Sequence, residues 1–190
     1  MTGSSFNSHS LKQNLVILNV KKNKGAYTME NQTEQAAEQK KTDIEFMKQA
    51  LGLAKLASKN GNEPFGALLV KGDQVVLTGE NQIHTESDPT FHAELGLIRE
   101  FCSTQKITDL AEYTLYTSCE PCCMCTGAMV WSNLGRMVYS LSHDELAEIA
   151  GFNIMIGSEE IFAKSPNRPE VVKGILQEEA VPLYTNYFQK

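Results

Sequence analysis

The chain has 190 residues, 42% of them hydrophobic and 21% charged, with 23 acidic against 17 basic side chains and a formal charge of −6. That is the make-up of one globular domain, or one domain plus a tail. It excludes a membrane span, since no apolar run approaches ~20 residues. It also argues against nucleic acid as a partner without excluding a local basic patch, because phosphate contact needs clustered Lys and Arg.

Residues 1–41 are polar, rich in Ser, Asn, Gln and Lys, and lack sustained periodicity. They read as a flexible leader. Leu15 to Leu18 is too short for a signal-peptide core, and Met29 resembles a native start, with residues 1–28 as a dispensable extension. The domain is expected over 42–190. Thr42 or Asp43 caps a predicted helix through Lys59, with Ile44, Met47, Leu51 and Ala54 on one face. Phe65 to Val70 and Val75 to Thr78, joined by Gly72-Asp73, predict a β-hairpin.

Asp88-Pro89-Thr90 punctuates the chain, and a helix is predicted from Phe91 to Cys102. Tyr113 to Thr117 reads as a strand. Pro121 opens a helix to Ser132, since Pro is tolerated in a first turn. A strand over Arg136 to Ser140, a short helix over Asp144 to Ala150, a strand over Val171 to Leu176 and a helix over Glu178 to Phe188 complete the pattern. Strands alternating with helices predict an α/β layered domain with a mixed sheet.

Two short motifs carry chemistry. His92-Ala93-Glu94 and Pro121-Cys122-Cys123-Met124-Cys125 each open a predicted helix. Cys122 and Cys125 are three apart and share a helix face. There, the positive end of the helix dipole favours thiolate. Two thiolates and the His92 imidazole suit Zn²⁺ and leave one coordination place for water, which becomes a hydroxide nucleophile near neutral pH. Glu94 sits two residues from His92, beside that water rather than on the metal, as general acid and base. Four of the five cysteines fall between 119 and 125, a clustering that fits metal or catalysis in a cytoplasmic chain better than a secreted disulfide framework. The alternative is a closed structural zinc site with Cys119 or Cys123 as fourth ligand, in which Glu94 has no purpose.

The combination H-x-E…P-C-x-x-C is the zinc deaminase signature. Over residues 43–190 the chain resembles the cytidine deaminase superfamily. The closest branch holds guanine deaminases, fungal-type cytosine deaminase and the tRNA wobble adenosine deaminases. The resemblance rests on Asp88 to Glu94 and on Leu115 to Met129. It implies a three-layer α/β/α cytidine-deaminase-like domain with a mixed sheet of about five strands. It also implies Zn²⁺ on His92, Cys122 and Cys125, with proton transfer by Glu94, and a homodimer.

The same resemblance adds pocket residues. Asn81 looks like the family asparagine that hydrogen-bonds the base; its alternative is a turn residue bonding its own backbone. Phe65, Gly66 and Ala67 resemble the loop and strand start lining the pocket. The main chain near Ser118 and Glu120 faces the reacting amino group in the family. Trp131 falls where guanine deaminases also have tryptophan, as a pocket-edge group or as a core or interface aromatic. Phe152 belongs to an Ala-Gly-Phe segment like that of the guanine branch, although Asn153 and Ile154 replace the acidic residues that follow it there. His84 is expected in the pocket or on a surface loop, and His143 at the surface.

These residues predict hydrolytic deamination of a small, purine-like aminated heterocycle, guanine being one candidate. A tRNA adenosine deaminase and a non-catalytic zinc module are the alternatives. The acidic balance of the chain and the last helix, with one Lys against two Glu, favour the small substrate.

Overall fold

The computed structural model describes residues 8–151 and 154–189, with side chains from residue 31 onward. The chain divides between Lys41 and Thr42 into two units. Helix α1 spans Ser8–Lys59, so the helix expected from Thr42 is the later part of a longer one. Residues 31–41 are exposed. With no apolar face to bury, they left helix formation without a periodic signal. From Asp43 on, α1 buries Phe46, Met47, Ala50, Leu51, Ala54 and Ala57.

The second unit is built on five strands: β1 (Gly66–Lys71), β2 (Gln74–Glu80), β3 (Tyr113–Cys119), β4 (Arg136–Leu141) and β5 (Glu170–Val172). Their order is β2-β1-β3-β4-β5. The first two pairings, β1 with β2 and β1 with β3, are antiparallel, while β3–β4 and β4–β5 are parallel. The sheet is therefore mixed, as expected. The predicted strand over Val171 to Leu176 shortens because Gly174 (φ 71°) and Leu176 (φ 58°) take left-handed backbone.

Side chains alternate across the strands. Ala67, Leu69, Leu115 and Met137 face a core closed by α2 (Ala93–Gln105), α3 (Cys123–Trp131) and α5 (Ser158–Ala163). Leu68, Val70, Tyr116 and Val138 face a second core. It is closed by residues of α1 from Phe46 onward, by α4 (His143–Ala150) and by α6 (Gln177–Phe188). The result is a helix–sheet–helix sandwich. Helix α5 escaped sequence reading, being six residues long with a single fully buried apolar side chain, Phe162. At Gly66, a Cβ would stand 2.4 Å from the Ala54 nitrogen and 2.6 Å from the Ala50 oxygen. Only glycine lets β1 begin against the α1 backbone.

A buried polar knot ties three of these elements. Asp43 accepts two guanidinium hydrogen bonds from Arg136, both at 2.8 Å, and one from the Tyr116 hydroxyl at 2.8 Å. Paired Nη–carboxylate geometry of this kind is the stronger form of ion pair. Burial and the Asp43 carboxylate push the Tyr116 phenol well above its ordinary range.

The topology gathers one end of the sheet. Because β1 is antiparallel to β3, the start of β1 lies beside the end of β3. The end of β2 pairs with the start of β1, Glu80 opposite Gly66. Parallel pairing brings the end of β4 there too, Leu141 opposite Cys119. Crevices at the carboxyl ends of parallel strands are where α/β sheets bind ligands. Among the described residues no helix is long and apolar enough to cross a membrane.

Candidate metal and active site

His92 and Cys122 are the N-cap residues of α2 and α3, so two helix N-termini converge on them. His92 Nδ1 lies 3.6 Å from Cys122 Sγ. Cys125, one turn into α3, is fully buried. The ligand atoms of His92, Cys122 and Cys125 all lie within 4.8 Å of one another. Zinc bonds of about 2.1 Å to nitrogen and about 2.3 Å to sulfur at a tetrahedral centre set an N···S edge of about 3.6 Å. The three side chains fit that ion. Among the described residues neither Cys119 nor Cys123 joins the cluster, so the donor set is the open three-ligand kind rather than a closed structural one.

The thiols are unequal. The Cys122 thiol is pulled down to about 4 by the neighbouring Cys125, against the opposing effect of burial and with help from His92. Cys125 is pushed up by the neighbouring Cys122 and by burial. The contact with Cys122 raises the His92 imidazole above its ordinary value. Cys122 is thus the first thiolate of the pair.

Glu94, in the first turn of α2, is 5% exposed. Its two oxygens are held separately. Thr117 Oγ1 lies 3.0 Å from Oε1, and Cys125 Sγ donates to Oε2 across 3.6 Å. Burial raises the Glu94 carboxyl, and the Cys122 charge adds to that.

A cavity of about 250 Å³ opens on this group. His92, Glu94 and Cys122 line it beside Phe65, Ile83, Leu146, Ala150 and Phe188, with Glu63, Glu120 and His143 completing the wall. Mostly apolar walls with a few convergent polar groups are the usual form of a small-molecule site. The described lining holds three carboxylates and no Lys or Arg.

Of the residues expected at the site, Phe65, Glu120, His92, Cys122 and Glu94 are brought to the cavity, while Cys125 lies buried behind it. Gly66, Ala67, Asn81 and Ser118 are not in its lining. Ser118 accepts from the Gly66 backbone N–H at 3.1 Å and from the Tyr184 hydroxyl at 2.9 Å, bridging β1, β3 and α6. Asn81 is fully buried; its Oδ1 accepts the Ile83 N–H at 3.2 Å, as an Asx turn would, while Nδ2 has no partner among the described residues. Trp131 is 88% exposed at the end of α3. Phe152 and Asn153 lie outside the described residues. The His84 N–H donates to Asn62 Oδ1, and His84 does not line the cavity.

His143 departs from expectation. It is 4% exposed, not on the surface, because it opens α4 directly after β4 enters the shared end of the sheet. Sequence reading also missed Thr117, Leu146 and Phe188. A polar residue in step with Leu115 on a core-facing strand was the available signal for Thr117.

Glu120 acts as a strut. Its Oε2 accepts the His143 N–H at 3.1 Å, and its Oε1 accepts from the Ser158 N–H and hydroxyl at 2.8 and 2.6 Å. Burial works to raise this carboxyl, but the Ser158 hydroxyl and the two backbone donors outweigh it and hold it below its ordinary value.

Residues 40–141 match the family model of the cytidine and deoxycytidylate deaminase zinc-binding region. The chain is 41% identical to guanine deaminase from Bacillus subtilis (strain 168) over 109 residues, covering 57% of this chain and 69% of that protein. It is 33% identical to a tRNA-specific adenosine deaminase from Buchnera aphidicola subsp. Schizaphis graminum over 148 residues, 77% of this chain and 94% of that one. A solved structure of guanine deaminase from Nitrosomonas europaea aligns with a TM-score of 0.70 at 23% identity, over 77% of this chain and 85% of that one. That last likeness establishes the fold.

Proposed function

The chain belongs to the cytidine and deoxycytidylate deaminase zinc-binding family, and on that premise we propose that it hydrolyses the exocyclic amine of a small nucleobase or nucleoside to a carbonyl with release of ammonia. The observation that carries this reading is the cavity in which a buried, tethered Glu94 stands beside the His92, Cys122 and Cys125 cluster.

A zinc ion held by His92, Cys122 and Cys125 would supply Lewis acidity and would lower the pKa of the attacking water. Glu94 takes a proton from the attacking water, delivers it to the ring nitrogen, and then assists loss of the amine as ammonia. Its raised carboxyl suits a group that must both accept and give a proton. Phe65, Ile83, Leu146 and Phe188 form the apolar walls that hold a flat heterocycle and exclude bulk water. Asn81, with its buried and unpaired Nδ2, is assigned to hydrogen bonding with the base or its ring carbonyl. Phe65 and Glu120 are assigned to the pocket edge, and the backbone through Gly66, Ala67 and Ser118 to carrying them there. Phe152 keeps its place there on sequence resemblance alone.

Substrate size and charge favour a free base or nucleoside of purine-like shape, guanine among the candidates. The cavity is below the ~300–1,000 Å³ of sites for drug-sized ligands. Its wall, with carboxylates and no described cation, is a poor host for phosphate. The second reading, deamination of a tRNA wobble adenosine, draws on the 33% identity to such an enzyme.

A substrate panel separates the two. Zinc-loaded protein is assayed for ammonia release from guanine, adenine, cytosine, their nucleosides and an adenosine-34 anticodon stem-loop. Turnover of a small heterocycle supports the first reading. Turnover of the stem-loop alone, weakening steeply with salt, replaces it with the second.

The exposed Trp131 at the end of α3 supports a homodimer. The half-buried Met124, Gly127 and Ala128 precede it at helical spacing, and an indole 88% exposed is uncommon on a free surface. Trp131→Glu is expected to convert a dimer to monomers in light scattering. A monomeric wild type contradicts this assignment. The five free cysteines fit a reducing cytoplasm.

A further inference from the structure

Thr117 occupies a core-facing position of β3, in step with Leu115, and is 1% exposed. A hydroxyl buried there needs partners. It has two: Glu94 Oε1 at 3.0 Å and the Cys119 carbonyl oxygen at 3.1 Å.

The two partners differ in kind. A carbonyl oxygen only accepts, a carboxylate only accepts, and a carboxylic acid donates. The Thr117 hydroxyl carries one proton. When Glu94 is ionised, that proton points to Oε1. When Glu94 carries the reaction's proton, it does so on Oε2, the oxygen beside Cys125, and Oε1 is then the carbonyl oxygen of the acid and accepts from Thr117 as before. The tether on Oε1 is therefore the same in both forms, with no heavy atom displaced. The Cys119 carbonyl fixes the other side of the hydroxyl, and the next residue, Glu120, is itself held by its N–H donating to Leu141 oxygen at 2.7 Å.

We propose that Thr117 is a positioning residue for the deamination. Shared between Glu94 and the Cys119 carbonyl, its hydroxyl keeps the Glu94 carboxyl in one place in both its proton-free and proton-bearing forms. The assignment rests on Glu94 as the proton carrier of the reaction. Protons balance without Thr117 gaining or losing one: Glu94 takes the two protons of the attacking water in turn, passing the first to the ring nitrogen and the second to the amine that leaves as ammonia, and the hydroxyl proton stays on Oγ1. Thr117 is not in the cavity lining and acts through Glu94 alone.

Thr117→Val keeps the branched shape and removes the hydroxyl, and Thr117→Ser keeps the hydroxyl and removes a methyl. Both are assayed zinc-loaded on the heterocycle that the wild type turns over fastest in the panel. Kinetics are accompanied by zinc stoichiometry and by calorimetric titration with the same base. Misplacing a reacting group by about 1 Å can cost about 100-fold. The expectation is a kcat about 10- to 100-fold lower for Thr117→Val, with KM, base affinity and zinc content within about 2-fold. Thr117→Ser is expected to stay within about 3-fold of wild-type kcat.

An unchanged kcat in Thr117→Val overturns the proposal, as does equal impairment of the Val and Ser variants, which would mark a packing role. Thr117→Ala supplies the same comparison should the Val variant not fold. A wild type that releases no ammonia from any substrate removes the deaminase reading and this proposal together. An active wild type beside an unimpaired Thr117→Val removes the proposal alone.

Discussion

His92 and Cys122 each cap a helix, and the two caps meet with Nδ1 and Sγ 3.6 Å apart. Neither side chain caps its own helix by hydrogen bond. The positive ends of α2 and α3 therefore face a cluster that carries negative charge, the arrangement that favours thiolate. One zinc per chain is expected by elemental analysis. Cys122→Ser and Cys125→Ser are expected to lose it, because a hydroxyl at these positions stays protonated. Binding displaces protons from His92 and the thiols, so zinc affinity falls as pH drops. Chelator competition at several pH values checks the sign; an affinity that rises on acidification contradicts the ligand set.

The Asp43 knot predicts stability rather than activity. Asp43→Ala leaves the Arg136 guanidinium, whose side chain is 14% exposed, without its principal carboxylate. Removing one partner of a buried pair costs about 3–5 kcal/mol. Chemical denaturation should show a loss of that order, and the double variant Asp43→Ala, Arg136→Met should recover part of it. Full additivity of the two single losses would mean that the contact is not energetically coupled.

Glu120 sets an acid limit on the same end of the sheet. Its carboxyl lies below its ordinary value in the folded protein, so its contribution is present above the unfolded value and is lost as pH falls through the folded one. Glu120→Gln should be less stable than wild type at neutral pH, with the gap closing on acidification. A gap that widens on acidification contradicts the strut formed with His143 and Ser158.

What could be read from the chain was local. His92-Ala93-Glu94 and Cys122 to Cys125 were legible because metal geometry restricts residue type and spacing within one helical turn. The order of helices and strands followed from periodicity in segments that bury one face. Thr117, Glu120 and His143 were harder, since their contacts pair residues 23 to 38 positions apart and depend on how the strands end together. Helix α1 before Thr42 was missed for the opposite reason: its exposed residues 31–41 carry no burial pattern to read.

The most direct test compares wild type with Glu94→Ala, each brought to one zinc per chain, for ammonia release across the base and nucleoside panel. General acid–base groups contribute about 10²- to 10⁴-fold. The account predicts turnover of at least one heterocycle by the wild type and a loss of that size or more in the variant, with zinc retained. Equal turnover by the two proteins, or no turnover by the wild type on any substrate, would contradict it.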